Sequence, residues 1–127
     1  KIATIEPVEW SIDQDIQKLP QFDIITVSMT LHHLRDTAQA AGVFYSLLHH
    51  GGKIAIADLD PDNGEFHEKP GIAEHDGFNR EILGEIFRNA GFMDVQFEDI
   101  ADITKVSSKT KQPKKFPLFL MTAQKTG

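Results

Sequence analysis

Cysteine is absent from all 127 residues of the chain. That removes disulfides, thiolate metal ligands and a cysteine nucleophile together, and it is compatible with the cytoplasmic location we expect. Long apolar runs are absent as well. No stretch approaches the ~18 residues that span a bilayer, and no signal-type segment opens the chain, so no membrane partner is expected. Acid is missing from one end: from Ile103 onward there are six lysines and no Asp or Glu. The preceding part holds all 19 acids and 7 of the 13 bases, a balance of −12. So acidic a body argues against a nucleic-acid partner. The tail lysines, spaced along a polar turn without interleaved aromatics, read as a solvated loop guarding an edge strand. An initiating methionine is lacking too, since the chain opens Lys1-Ile2; an upstream segment is expected.

What is present is one domain's worth of ordinary globular composition, 40% hydrophobic and 25% charged. The run FDIITVS (22–28) is short and β-branched, which predicts a strand buried on both faces. Asp36 is placed to cap a helix over DTAQAAGVFYSLLHH, with Ala41, Phe44, Tyr45 and Leu48 at helical spacing. Gly51 stands where a left-handed residue would end that helix, with His49 and His50 in its last turn. KIAIADL (53–59) is a second strand of buried type, so strand, helix and strand make a parallel βαβ unit. A loop of about 18 residues follows, long enough for a lid or binding loop.

Asn79 then caps a helix to Ala90, whose predicted buried stripe is Ile82, Leu83, Ile86, Phe87 and Ala90. Phe78 and Leu83 are spaced as a hydrophobic staple. Gly91 ends that helix and Phe92 packs back on it. Strands are expected near Met93 to Ile100 and Lys115 to Ala123, with Pro117 near the start of the second. Upstream, Val8 to Ile12 is a candidate short strand. FDIITVS would be a bare, uncharged edge unless another strand paired with it, so the chain reads as the second half of a doubly wound sheet.

Open α/β sheets bind ligands beyond the carboxyl ends of their strands. Here those ends are Ser28 to His33 and Ala57 to Asp60, which makes the His32-His33 pair a candidate site edge. Asp58, Asp60 and Asp62 alternate before Gly64, but an EF-hand loop starting at Asp58 would need glycine where Asn63 stands and glutamate where Lys69 stands. Asp58 is instead expected to end its strand with its carboxylate facing the crevice, and Pro61-Asp62-Asn63-Gly64 to form a turn. Among the six histidines there is no HxxxH or HExxH spacing. His67 and His75 share the long loop without a third ligand, so no metal is expected. Gly51-Gly52-Lys53 precedes a strand rather than a helix, and no GxGxxG, Walker or GxSxG pattern occurs, which ranks a nucleotide or flavin binder and a serine nucleophile last.

The order of these pieces resembles the class I S-adenosylmethionine-dependent methyltransferases over the C-terminal half of their catalytic domain. "DIQKLPQFDII" looks like the family's acidic loop running into strand four, and "TLHHLRD" like the segment after it. "LLHHGGKIAIADLD" is similar to the passage through Gly-Gly into strand five. "GFNREILGEIFRNAGFMDVQFEDI" looks like the helix leading to strand six, and "KKFPLFLMTAQK" like strand seven. The loop "DLDPDNGEFHEKPGIAEHDGF" resembles that of a group of small bacterial-type members.

This resemblance implies an α/β, Rossmann-like sheet of order 3-2-1-4-5-7-6, here only strands four to seven with strand seven antiparallel. The cofactor implied is S-adenosylmethionine, and the acceptor a small molecule. Asp15 and Ile16 would meet its adenine, Ser28 and Met29 would lie beneath its methionyl part, and His33 would sit near the methyl donor as a candidate general base. His32, Asp58, Asp60, His67 and His75 would face the acceptor. The family's Gly-rich loop after strand one has no counterpart, so the chain alone is expected to be inactive. The rival reading is a non-catalytic module that forms a homodimer through its bare edge.

Overall fold

A computed structural model describes residues 21–62, 64–67 and 74–126. Its elements are β1 (Phe22–Ser28), α1 (Thr37–Leu47), β2 (Leu48–Leu59), α2 (Arg80–Asn89), β3 (Met93–Val106) and β4 (Pro113–Gln124), with a 3₁₀ turn at Leu31–His33. The strands form one sheet of order β1-β2-β4-β3. β1 runs parallel to β2, with Ile24 opposite Lys53 and Ser28 opposite Ala57. β4 is antiparallel to both β2 and β3. This is the order, and the antiparallel strand, that the resemblance implied. The candidate strand at Val8 to Ile12 lies outside the described residues.

Both helices start as their caps dictate. Asp36 accepts from the Gln39 amide at 2.9 Å and Asn79 from the Ile82 amide at 3.1 Å, each satisfying an otherwise orphaned N–H. α1 buries Ala40, Ala41, Phe44 and Leu47; α2 buries Leu83 and Phe87. All of these but Leu47 meet Ile54, Ile56, Phe119 and Met121 in one core on one face of the sheet. Phe78 and Leu83 both enter it, and Phe92 packs on Phe87 and edge-on to Tyr45, as the staple and the glycine-ended turn required. Ile82 does not belong to the stripe. It is 60% exposed, because Leu83 and Phe87 four residues apart already define the inward face.

Three further expectations are corrected. β1 is not buried on both faces: Ile25 and Val27 pack on the core, while Ile24 is 67% exposed and the outer edge has no partner strand among the described residues. α1 ends at Leu47, before His49 and His50, which already belong to β2. Its last carbonyls are taken by Lys125, whose buried Nζ donates to the Tyr45 and Leu48 carbonyls, both at 2.9 Å. Gly51 does adopt a left-handed φ of 81°, but within β2, where the pairing with β1 shifts register. Finally, β4 is an interior strand, not an edge. Pro117 fits because it lies one residue beyond the Leu59–Leu118 pair that ends the β2 ladder, where only its carbonyl is used, accepting from the Asp60 amide at 3.2 Å.

Phe87, fully buried, is the largest link between α2 and the sheet. Phe87→Ala should cost about 3–5 kcal/mol, whereas Ile82→Ala should change stability by less than about 0.5 kcal/mol. Urea denaturation of the two variants checks the contrast.

Candidate functional site

The carboxyl ends of β1 and β2 lie side by side and carry most of the polar groups singled out above. β1 ends abruptly. Met29 takes a left-handed φ of 54° while its N–H donates to the Ala57 carbonyl at 2.8 Å. A methionine rarely adopts that conformation, and such strain persists only where the surroundings enforce it. The chain then reverses through the 3₁₀ turn, which buries Leu31 and His32 and leaves His33 exposed.

His32 and Asp58 are buried to 1% and 0% exposure. Asp58 accepts three hydrogen bonds: from the His32 amide at 3.2 Å, from His32 Nδ1 at 2.6 Å and from the Leu59 amide at 2.8 Å. Since both carboxylate oxygens only accept, Nδ1 carries the proton and Nε2 is the ring's remaining nitrogen. A buried carboxylate without such donors would be costly, so this pairing is what lets Asp58 end a central strand. The aspartate expected to face the crevice thus acts through His32 instead.

The long loop returns to the same place. The His75 amide donates to the His32 carbonyl at 3.0 Å, and the Phe78 amide to the Leu59 carbonyl at 2.9 Å. Gly77 has a φ of 84°, and a Cβ there would sit 2.2 Å from the Asp60 carbonyl oxygen, so only glycine lets the loop pass this close. His75 Nε2 donates to the Leu34 carbonyl at 2.9 Å, which makes it a clasp on the loop. The other loop histidine, His67, turns to the end of β1. His67 stacks toward His32 and His33, with ring centroids 5.2 and 5.5 Å away, and those two rings are 4.2 Å apart.

The β3–β4 hairpin holds the segment that carries His67. Ser108 bonds the Gly64 and Glu65 carbonyls, Lys114 pairs with Glu65, and Phe66 packs edge-on against Phe116. The tail lysines are therefore partly structural. Asp60 is drawn the other way: Arg80 grips both its oxygens at 2.9 Å and reaches Asp99 at 2.6 Å. Asp62 turns the chain as expected, accepting from the Gly64 amide at 2.9 Å. Ser28 and Met29 line the end of β1, while Asp15 and Ile16 lie outside the described residues.

Burial holds the His67 imidazole below its ordinary pKa, helped by His32, His33 and Lys105 and opposed by Asp62. The unfolded chain then takes up a proton at the ordinary value while the folded chain does not, so acid destabilises the fold through His67. Between about pH 8 and about pH 5.5, wild type should lose stability relative to His67→Gln as the pH falls. Urea midpoints that keep a constant separation would remove this assignment.

No family model matches the chain. Over 84 residues it is 29% identical to an uncharacterized methyltransferase of Schizosaccharomyces pombe, a match that covers 60% of this chain and 30% of that protein. It is 34% identical over 85 residues to the phosphoethanolamine N-methyltransferase of Triticum aestivum, covering 64% of this chain and 17% of that one. The chain thus spans less than a third of the length of these curated relatives. Among solved structures, a SAM-dependent methyltransferase from Archaeoglobus fulgidus superposes with a TM-score of 0.65 at 16% identity, covering 93% of this chain and 66% of that one. In sequence the chain is thus similar to part of these methyltransferases, and its fold is that of part of the S-adenosylmethionine-dependent enzyme.

Proposed function

We propose that this chain works as part of a longer polypeptide that transfers a methyl group from S-adenosylmethionine to a small molecule, and that it is inactive alone. One observation carries the reading: at the carboxyl end of β1, a strained Met29 and a histidine cluster meet where open α/β sheets take their ligands. The likeness to methyltransferases of known name supports it. Bound S-adenosylmethionine would supply an electrophilic methyl on its sulfonium. What remains for the protein is positioning and the handling of one proton.

The residues fit that division of labour. The Ser28 and Met29 backbone sits at the open end of β1, where the methionyl part of the cofactor would rest, and Asp15 and Ile16 are assigned to the adenine. His33, exposed beside the buried His32–Asp58 pair, is the base for a hydroxyl or ammonium acceptor. His32 and His67 line the acceptor side, and Asp58 and His75 hold them in place. Phosphoethanolamine, acted on by the wheat relative, is the first acceptor to try.

The outer edge of β1, without a partner strand among the described residues and with Ile24 exposed, favours a second reading in which the chain is a non-catalytic module that dimerises there. One experiment separates the two. The chain, alone and joined to an upstream segment carrying a Gly-rich strand-one loop, is assayed for transfer of labelled methyl to phosphoethanolamine and other amines. We expect turnover only from the joined form, lowered about 100-fold by His33→Ala. A stable dimer on sizing with no transfer in either form would favour the module, and full activity of His33→Ala would remove the base assignment.

A further inference from the structure

The geometry points to a divalent transition-metal site of the zinc type on His32, His33 and His67. One ring nitrogen from each lies within 4.8 Å of the other two. A tetrahedral zinc ion with nitrogen ligands at 2.0–2.1 Å holds those nitrogens about 3.4 Å apart. Adjustments of roughly an ångström in the exposed His33 and the loop-borne His67 therefore close the set.

Two independent features suggest that the trio is built for a ligand rather than merely crowded. The first is the support behind His32. Metal-bound imidazoles characteristically donate their other N–H to a carboxylate, which fixes the tautomer and aims the free nitrogen. His32 Nδ1 donates to Asp58 at 2.6 Å, with both side chains buried, and this leaves Nε2 as the coordinating atom. The second is His67 itself. Its Nε2 is buried and has no hydrogen-bond partner among the described residues, a state that normally has to be accounted for. A metal ion would supply the missing partner.

The surroundings suit a cation only in part. Asp62 faces His67 from the loop, with one buried carboxylate oxygen unpartnered among the described residues. Lys105 faces it from β3 but rests with Nζ over the Phe66 ring at 4.3 Å. Three imidazoles favour zinc or another late first-row ion over magnesium or calcium. Because His33 is exposed, a fourth position stays open for water or an oxygen of a bound small molecule, the pattern of catalytic rather than structural zinc. This site does not rest on the methyl-transfer reading: a metal-bound His33 has no lone pair left to act as a base, so the two uses of that imidazole exclude each other, and the test reads metal directly.

The chain, purified without a histidine tag, is titrated with Zn²⁺ against a chromophoric chelator, and separately with Co²⁺ to read the intense visible bands of a four-coordinate ion. We expect one equivalent bound. His33→Ala and His67→Ala should each weaken binding at least as much as loss of an outer-shell partner does, about 10-fold or more. Replacing His49 and His50, which lie elsewhere on β2, should leave affinity unchanged. Circular dichroism of His33→Ala confirms an intact fold, as its exposure requires. Failure of wild type to compete with the chelator, or equal affinity in the His33→Ala/His67→Ala double variant, would overturn the site.

Discussion

The buried pair of His32 and Asp58 is the constraint on which the rest of this arrangement depends. A carboxylate at the end of the central parallel strand has to be fully hydrogen-bonded, and its donors come from two places at once: the Leu59 amide beside it and the turn that follows β1. One side chain thereby joins the carboxyl ends of β1 and β2. The loop then closes on the same joint through the His75 and Phe78 amides, and Gly77 provides the clearance. The shape of the candidate site is thus a consequence of satisfying one buried charge-bearing group.

The remainder of the fold supports that joint from behind. Ile54 and Ile56 of β2 point into the same core as Phe119 and Met121 of β4, so the strand that ends in Asp58 is fixed along its length by α1 and α2. The β3–β4 hairpin does a second task. Its Ser108, Lys114 and Phe116 hold the segment that brings His67 to the other histidines. A region that looked like solvated edge protection is therefore part of what positions the site. At the opposite side of the sheet, β1 has no partner strand among the described residues.

Local features were legible in the sequence and distant ones were not. Asp36, Asn79, the Phe78–Leu83 staple and the turn at Gly91 act within a few residues, so spacing alone reveals them. The strands 22–28 and 53–59 were legible from their β-branched runs, and the order of the sheet from the resemblance. By contrast, Lys125 caps α1 from almost 80 residues away, and nothing in its neighbourhood marks it as buried. The grip of Arg80 on Asp60 spans 20 residues. The histidine trio joins adjacent residues to one far along the chain, a spacing that matches no ligand motif. Burial on both faces was misread for β1 because an apolar run has the same composition whether or not a neighbouring strand covers it.

On the function proposed, the carboxyl end of β1 is where the methyl donor would sit. The most direct test is a titration of the isotopically labelled chain with S-adenosylhomocysteine, followed by amide and imidazole resonances in NMR. Even a weak half-site should move the signals of Ser28, Met29 and His33 at millimolar ligand, while those of α2 and β3 stay in place. Movement confined to α2 and β3, or none anywhere, would contradict it.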